Sequence, residues 1–158
     1  MSKKVIYVVI AIVVVAIIAV GAFLLGGNNK EVALDLQQLN TALSEKAPFN
    51  EMATMDITSE ELSMLMEVNA EDVEAVIGKI PMMNVHASMY LVIEAKEGSV
   101  ETVKEKVDAY ALAQEEQWQR YLPEQYELVQ QRKSGVVGNY VYLIIAETSA
   151  ELEELITK

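Results

Sequence analysis

The sequence of 158 residues contains no cysteine, and it has only one histidine and one tryptophan. The missing cysteine excludes disulfide bonds, thiolate nucleophiles and zinc sites built on sulfur, as well as lipid attachment through an N-terminal cysteine. The single histidine, His86, offers no ligand spacing typical of a metal site, and no serine stands at a spacing from it that suggests nucleophilic catalysis. We therefore predict no cofactor, no metal site and no catalytic residues.

Charged residues are absent from Val5 to Leu25, a block of 21 residues with a single tyrosine. At about 1.5 Å per helical residue the block spans about 31 Å, close to the roughly 30 Å hydrocarbon core of a bilayer. A cleaved signal peptide has a shorter apolar region and ends in small residues, whereas bulky Phe23, Leu24 and Leu25 end this block. The pattern predicts a retained transmembrane helix.

Few charges decide the orientation of this helix. Lys3 and Lys4 precede the block and Lys30 follows it, so the positive-inside tendency puts the N-terminus in the cytoplasm. We expect a single-pass protein of the cell membrane that divides into a cytoplasmic tail (1–4), a transmembrane anchor (5–25), a spacer (26–29) and an extracytoplasmic domain (30–158).

Basic residues are scarce in the predicted domain. Residues 30–158 hold ten of the twelve basic residues and all 24 acidic residues, a formal charge of −14. Such a charge repels phosphate backbones, so we predict no nucleic-acid partner. The acidic residues form no D-x-[DN]-x-[DN]-G calcium loop, and a surplus of carboxylates is typical of a solvated surface.

Hydrophobic periodicity predicts an α+β domain: a small antiparallel sheet with helices packed on one face. In the strand that we expect over Val85–Ala95, only the odd-numbered residues should face the core. The stretch Tyr126–Arg132 fits either extended chain or a helical turn. The remaining expected elements are helices over Lys30–Lys46, from the capping box Thr58–Glu61, over Ser99–Leu122 and near Leu152–Ile156, with a strand at Val73–Ile80 and a hairpin around Gly138-Asn139.

Aromatic residues are few but gather after the long helix, where Trp118, Arg120, Tyr121, Gln125 and Tyr126 lie within nine positions. Trp, Tyr and Arg are the typical anchors of binding surfaces, which makes these five residues a candidate recognition surface. The spacing of Trp118 and Tyr121 also suits the core-facing side of a helix. Both interpretations stay open.

Eight methionines are many for this length, and several stand close together, as in Met82-Met83. Thioethers are ligands that Cu(I) prefers, but methionine is also an adaptable core residue and a common component of partner-binding grooves. The sequence leaves these three roles open.

Three segments, Met82–Ala87, Tyr121–Tyr126 and Gly138–Val141, stand in the order and near the spacing of the bacterial family known as domain of unknown function 4358. The resemblance covers Leu36 to Ile156. It implies an anchored or lipid-modified envelope protein of Firmicutes, and here the apolar helix would replace the lipid. The family brings no established activity, so no residue role is carried over.

These observations predict a non-enzymatic module that binds or scaffolds an envelope protein or ligand. Two alternatives stay open. One is a sensor domain for a small ligand or a metal ion. The other is a carboxylate-dependent envelope hydrolase, which needs carboxylates converging in a pocket near His86 or Arg120.

Overall fold

The computed structural model describes residues 32–158. The predicted tail, anchor and spacer lie outside the described residues and stay predictions. Within the described residues, which form one compact unit, none of the helices has both the length and the hydropathy that a membrane crossing requires.

A five-stranded antiparallel sheet with helices confirms the α+β class. The strand order is β1-β2-β3-β5-β4, so β3 and β5 are central and β1 and β4 are the edges. The elements of the described region are α1 (Leu36–Ser44), β1 (Thr54–Asp56), α2 (Ser59–Met66), a 3₁₀ turn (Ala70–Asp72), β2 (Val73–Pro81), β3 (Met89–Ala95), α3 (Val100–Gln119), α4 (Pro123–Gln130), β4 (Lys133–Val137), β5 (Tyr140–Ile145) and α5 (Ser149–Thr157).

Local sequence signals fix several of these boundaries. The predicted capping box is present: the Thr58 N–H donates to Glu61 Oε2 at 2.9 Å, and the Glu61 N–H donates to Thr58 Oγ1 at 3.4 Å. Gly138, with φ +59°, is the first central residue of the two-residue β4–β5 turn, as a type II′ hairpin requires. Pro123 opens α4, where its missing N–H costs nothing, and the ambiguous stretch after it is therefore mostly helical.

Helices cover both faces of the sheet, so the prediction of one covered face was wrong. Helices α2, α3 and α4 pack on the first face, which holds Met89, Leu91 and Ile93. Helices α1 and α5 pack on the second face, which holds Tyr90 and Val92. Because β3 and β5 lie between other strands and are apolar at both parities, they bury both sets of side chains.

The connection between β2 and β3 is also longer than predicted. Strand β3 begins at Met89 instead of Val85, and residues 82–88 form a loop. The last β2–β3 ladder pair is Lys79 with Tyr90, and Pro81 pairs instead with Thr54 of β1. The two strands therefore diverge at this end of the sheet.

The described chain begins at the opposite end of the sheet. Val32 packs against Gly138, where an added Cβ would lie 3.3 Å from the Val32 Cβ. The Leu34 N–H donates to Tyr140 Oη at 3.2 Å. Since β5 runs from Tyr140 to Ile145, the two ends are about 17 Å apart at about 3.4 Å per residue.

Candidate functional site

A groove with a volume of about 230 Å³ opens where β2 and β3 diverge. We call it the β2–β3 groove. Its polar side chains are amides, a phenol and an imidazole, and no Asp, Glu, Lys or Arg lines it. The lining residues are Leu65 of α2, Ile80 and Pro81 of β2, Asn84, His86 and Ala87 of the loop, Met89 of β3, and Tyr110, Gln114, Gln117 and Trp118 on α3.

Trp118 forms a buried wall of the groove. It lies on the core-facing stripe of α3 with Val107 and Ala111, and only 3% of its surface is exposed. Its indole Nε1 donates to Gln114 Oε1 at 3.1 Å. The amide NH₂ of Gln114 is left as a donor for a molecule bound in the groove.

Gln125 holds the loop that forms the other wall. Its Oε1 accepts the backbone N–H of Ala87 at 2.8 Å. Ala87 and the following Ser88 are buried, and a buried N–H without an acceptor costs about 1–3 kcal/mol. This single side chain on the first turn of α4 therefore fixes the loop against the helical layer.

Tyr110 and His86 give the groove two further polar groups. Tyr110 is half-buried, and burial raises the pKa of its hydroxyl, which stays a hydrogen-bond donor at neutral pH. His86 is exposed on the loop. Within residues 32–158, no three His, Cys, Asp or Glu side chains are placed to hold a metal ion.

Apolar side chains are exposed on both sides of the groove. On the loop, Met82, Met83 and Val85 are 65%, 59% and 43% exposed, and on α2 Leu65 is 41% exposed. Met66 lies in the core beneath. Met82 and Met83 therefore give the loop beside the groove a flexible apolar surface. The exposed Met55 and Met64 are not among the groove residues.

The five residues of the predicted recognition surface lie in different environments, although the rings of Trp118 and Tyr121 are in contact, with centroids 5.9 Å apart. Trp118 lines the β2–β3 groove and Gln125 supports its loop. Tyr126 is half-buried, and its hydroxyl accepts hydrogen bonds from glutamines of α3 and α4. Tyr121 and Arg120 are exposed beyond the end of α3 and are not among the groove residues. Their role in recognition stays a prediction.

Several groove residues were not predicted from the sequence as site residues. Asn84 and His86 belong to the segment Met82–Ala87, one of the three segments that resemble the family. This resemblance was the signal in the sequence that could have identified them. Gln114 and Gln117 precede Trp118 by four and one positions on α3, so they mark the rim of its apolar stripe. Leu65 carried no signal that distinguished it from a core leucine.

A second, shallower depression lies at the open edge of β4, with a volume of about 570 Å³. We call it the β4 depression. Its carboxylates are engaged: Arg132 Nη1 lies 2.8 Å from Glu115 Oε2, and Tyr142 Oη donates to Glu153 Oε1 at 2.8 Å. Burial, together with the Glu153 carboxylate, raises the pKa of Tyr142 to about 12. Lys133 and Ser134 also line this depression, with an ammonium group and a hydroxyl group.

The model of the family described as Domain of unknown function (DUF4358) matches residues 47–146, well over half of the chain. The match contains all five strands of the described sheet and every residue that lines the β2–β3 groove, whereas α1 and α5 lie outside it. No curated protein and no solved structure matches the chain. The chain belongs to the DUF4358 family.

Proposed function

We propose that this protein is a non-enzymatic binding module, anchored in the cell membrane by Val5–Leu25, with its domain outside the cytoplasm. Its ligand is an uncharged, largely apolar peptide segment of an envelope protein, held in the β2–β3 groove. The observation that carries the proposal is the groove itself, a neutral cleft on an otherwise strongly acidic domain. The loop that forms one of its walls also carries two exposed methionines, Met82 and Met83, next to the lining residues.

The chemistry of the lining favours a peptide. Amide side chains such as those of Gln114, Gln117 and Asn84 both donate and accept, so they match the N–H and C=O groups of an extended backbone. Met82 and Met83 precede Asn84 on the loop, and their flexible side chains can adapt to apolar side chains of a segment that extends beyond the groove.

The size of the groove limits what it holds. Pockets for drug-sized ligands and cofactors are typically about 300–1,000 Å³, whereas this groove measures about 230 Å³. It therefore holds a few side chains of a longer molecule. The charge of −14 on residues 30–158 favours a segment with basic neighbours, so binding should weaken as the salt concentration rises.

Site-specific photo-crosslinking tests the groove. A photoreactive amino acid replaces Gln117, which lines the groove, in one variant. In the control variant it replaces Gln119, which is also exposed on the same helix but does not line the groove. With the full chain in its own membranes, we expect the Gln117 position to give a discrete crosslinked protein that the Gln119 position does not give. Equal products at both positions, or none at Gln117, would contradict the proposal.

Protease added to intact cells tests the location separately. We expect the domain to be digested while a cytoplasmic control protein survives. Recovery of the mature chain in the medium without its first two dozen residues, or protection of the domain in intact cells, would reject the anchored arrangement without bearing on the groove.

A further inference from the structure

Within residues 32–158, strand β4 is an open edge of the sheet with little protection. Natural proteins usually protect an edge with a very short strand, a charged side chain such as lysine, a proline, a bulge or a covering element. Strand β4 has one such charge, Lys133, and it lies at the first position of the strand. The opposite edge, β1, has only three residues, whereas β4 has five. Its sequence Lys133–Val137 contains no proline, and its pairing with β5 shows no register shift. The side chains of Ser134 and Val136 are exposed.

The hairpin register determines which backbone groups of β4 point outward. In a two-residue hairpin the residues flanking the turn, here Val137 and Tyr140, exchange both hydrogen bonds. The alternation along the strand then directs the N–H and C=O of Gly135 toward β5. Those of Ser134 and Val136 point away from the sheet, where the described region provides no further strand.

We propose that β4 pairs in antiparallel register with β4 of a second copy of this chain, with the two Gly135 residues opposite each other. This register places Ser134 of each copy opposite Val136 of the other. Both residues direct their backbone groups outward, so each such pair exchanges two hydrogen bonds. The arrangement has a two-fold axis, and the edge is therefore complementary to itself.

The centre of the strand is a glycine, whose missing side chain leaves room for the Tyr142 ring of the neighbouring strand. A Cβ on Gly135 would lie 2.6 Å from Tyr142 Oη, because the tyrosine ring lies over this position. Opposed residues of a non-hydrogen-bonded antiparallel pair have Cα atoms about 4.5 Å apart. Two glycines meet at this distance without a steric clash.

The charges around β4 favour a second copy over a strongly charged partner. The β4 depression, which flanks this edge, contains two cationic and two anionic side chains, Arg132, Lys133, Glu115 and Glu153. The surface beside β4 is therefore close to neutral, whereas residues 30–158 together carry a charge of −14. This near-neutral charge limits repulsion where the two edges meet. A strand pair alone buries less than the roughly 1,600 Å² of a stable interface, so we expect a weak, reversible pair.

Cysteine crosslinking tests the pairing, because the natural chain has no cysteine. Full-length Ser134→Cys and Val136→Cys variants with different tags are expressed together, and their membranes are treated with a short thiol crosslinker. Met55→Cys on β1 is the matched control, since Met55 is 40% exposed and Val136 is 41% exposed. We expect mixed 134–136 dimers to exceed Met55–Met55 dimers several-fold.

A backbone variant provides a second measurement. Val136→Pro removes an outward N–H without removing a bond to β5, and Val136→Thr keeps that N–H and the β-branched shape. Co-purification of two tagged copies should be lost with Val136→Pro and kept with Val136→Thr, while thermal unfolding confirms that both variants fold. Equal crosslinking at Met55, equal co-purification of the two variants, or crosslinks from β4 to another protein but not to a second copy would overturn the proposal. This inference does not depend on the groove or on its peptide.

Discussion

The two faces of the sheet are built from different side chains. The first face buries aliphatic residues and Trp118 beneath α2, α3 and α4. The second face buries Tyr90, Tyr140 and Tyr142 beneath α1 and α5, and the tyrosine hydroxyls are tied by hydrogen bonds. Tyr90 Oη donates to Asn40 Oδ1 of α1 at 2.7 Å.

The two kinds of side-chain contact differ in how easily each face can open to a ligand. On the second face the tyrosine hydroxyls reach polar groups of the covering segments, so the layer is closed by directed bonds. On the first face the contacts are mainly non-directional, and the layer opens into the β2–β3 groove where the loop replaces regular strand. The candidate site therefore lies on the first face.

We expect the greatest loss of stability from Trp118→Ala, which removes a buried side chain from the first face. Removing a buried aromatic side chain costs about 3–5 kcal/mol of unfolding free energy, through lost burial and a cavity. Tyr121→Ala, at a residue 59% exposed on the same helix end, should cost less than about 1 kcal/mol. Denaturant unfolding of the detergent-solubilised full chain measures both values. Similar costs for the two variants would contradict the burial of Trp118.

A smaller effect is expected at the second face when the pH rises. The pKa of Tyr142 is raised to about 12, chiefly by burial and then by Glu153, so the folded state favours the neutral phenol. The resulting stabilisation is complete below the unfolded-state pKa of about 10, and it is lost as the pH rises toward 12.

The variant Tyr142→Phe isolates this contribution. We expect the unfolding temperature of the wild type to fall between pH 10 and 12, and we expect the variant to show a shallower fall over the same range. Part of the fall should remain, since burial also raises the pKa of Tyr90 and Tyr140. Parallel curves for the two proteins would refute the assignment to Tyr142.

The effect expected at the groove is the weakest of the three. Gln125→Ala removes the acceptor of the Ala87 N–H and should cost about 1 kcal/mol, with faster hydrogen exchange in the loop 82–88. Gln125→Glu keeps an oxygen at the same place and should leave the exchange nearly unchanged. Mass spectrometry of the loop peptide measures the difference. Equal exchange in the two variants would mean that Gln125 does not hold the loop.

Local signals in the sequence predicted much of the fold. The capping box at Thr58 and the turn at Gly138 each depend on a few neighbouring residues, and both are confirmed. The long helix ends at Gln119, before the predicted Leu122, and Pro123 begins the next helix. The covering of both faces depends on which strands are central, which is a property of the whole sheet. Tyr90 and Tyr142 concealed it, because a tyrosine is typical of either a half-exposed or a buried strand position.

The candidate site was only partly predictable for a related reason. Trp118 was identified because tryptophan is a typical anchor of binding surfaces, and Gln125 because it lies in the same cluster. The groove arises because Pro81 pairs with β1 and frees the following residues from the ladder. Strand β1 lies within a stretch that showed no strand pattern, so neither its pairing nor the resulting loop had a local signal.

The position of Val32 has a practical consequence for experiments. This residue packs at the hairpin end of the sheet, and the groove opens at the other end. A sensor chip or a bead coupled at Val32 is thus attached about 17 Å or more from the cleft. Peptide libraries can be screened on such a support without the immobilisation chemistry occupying the surface under study.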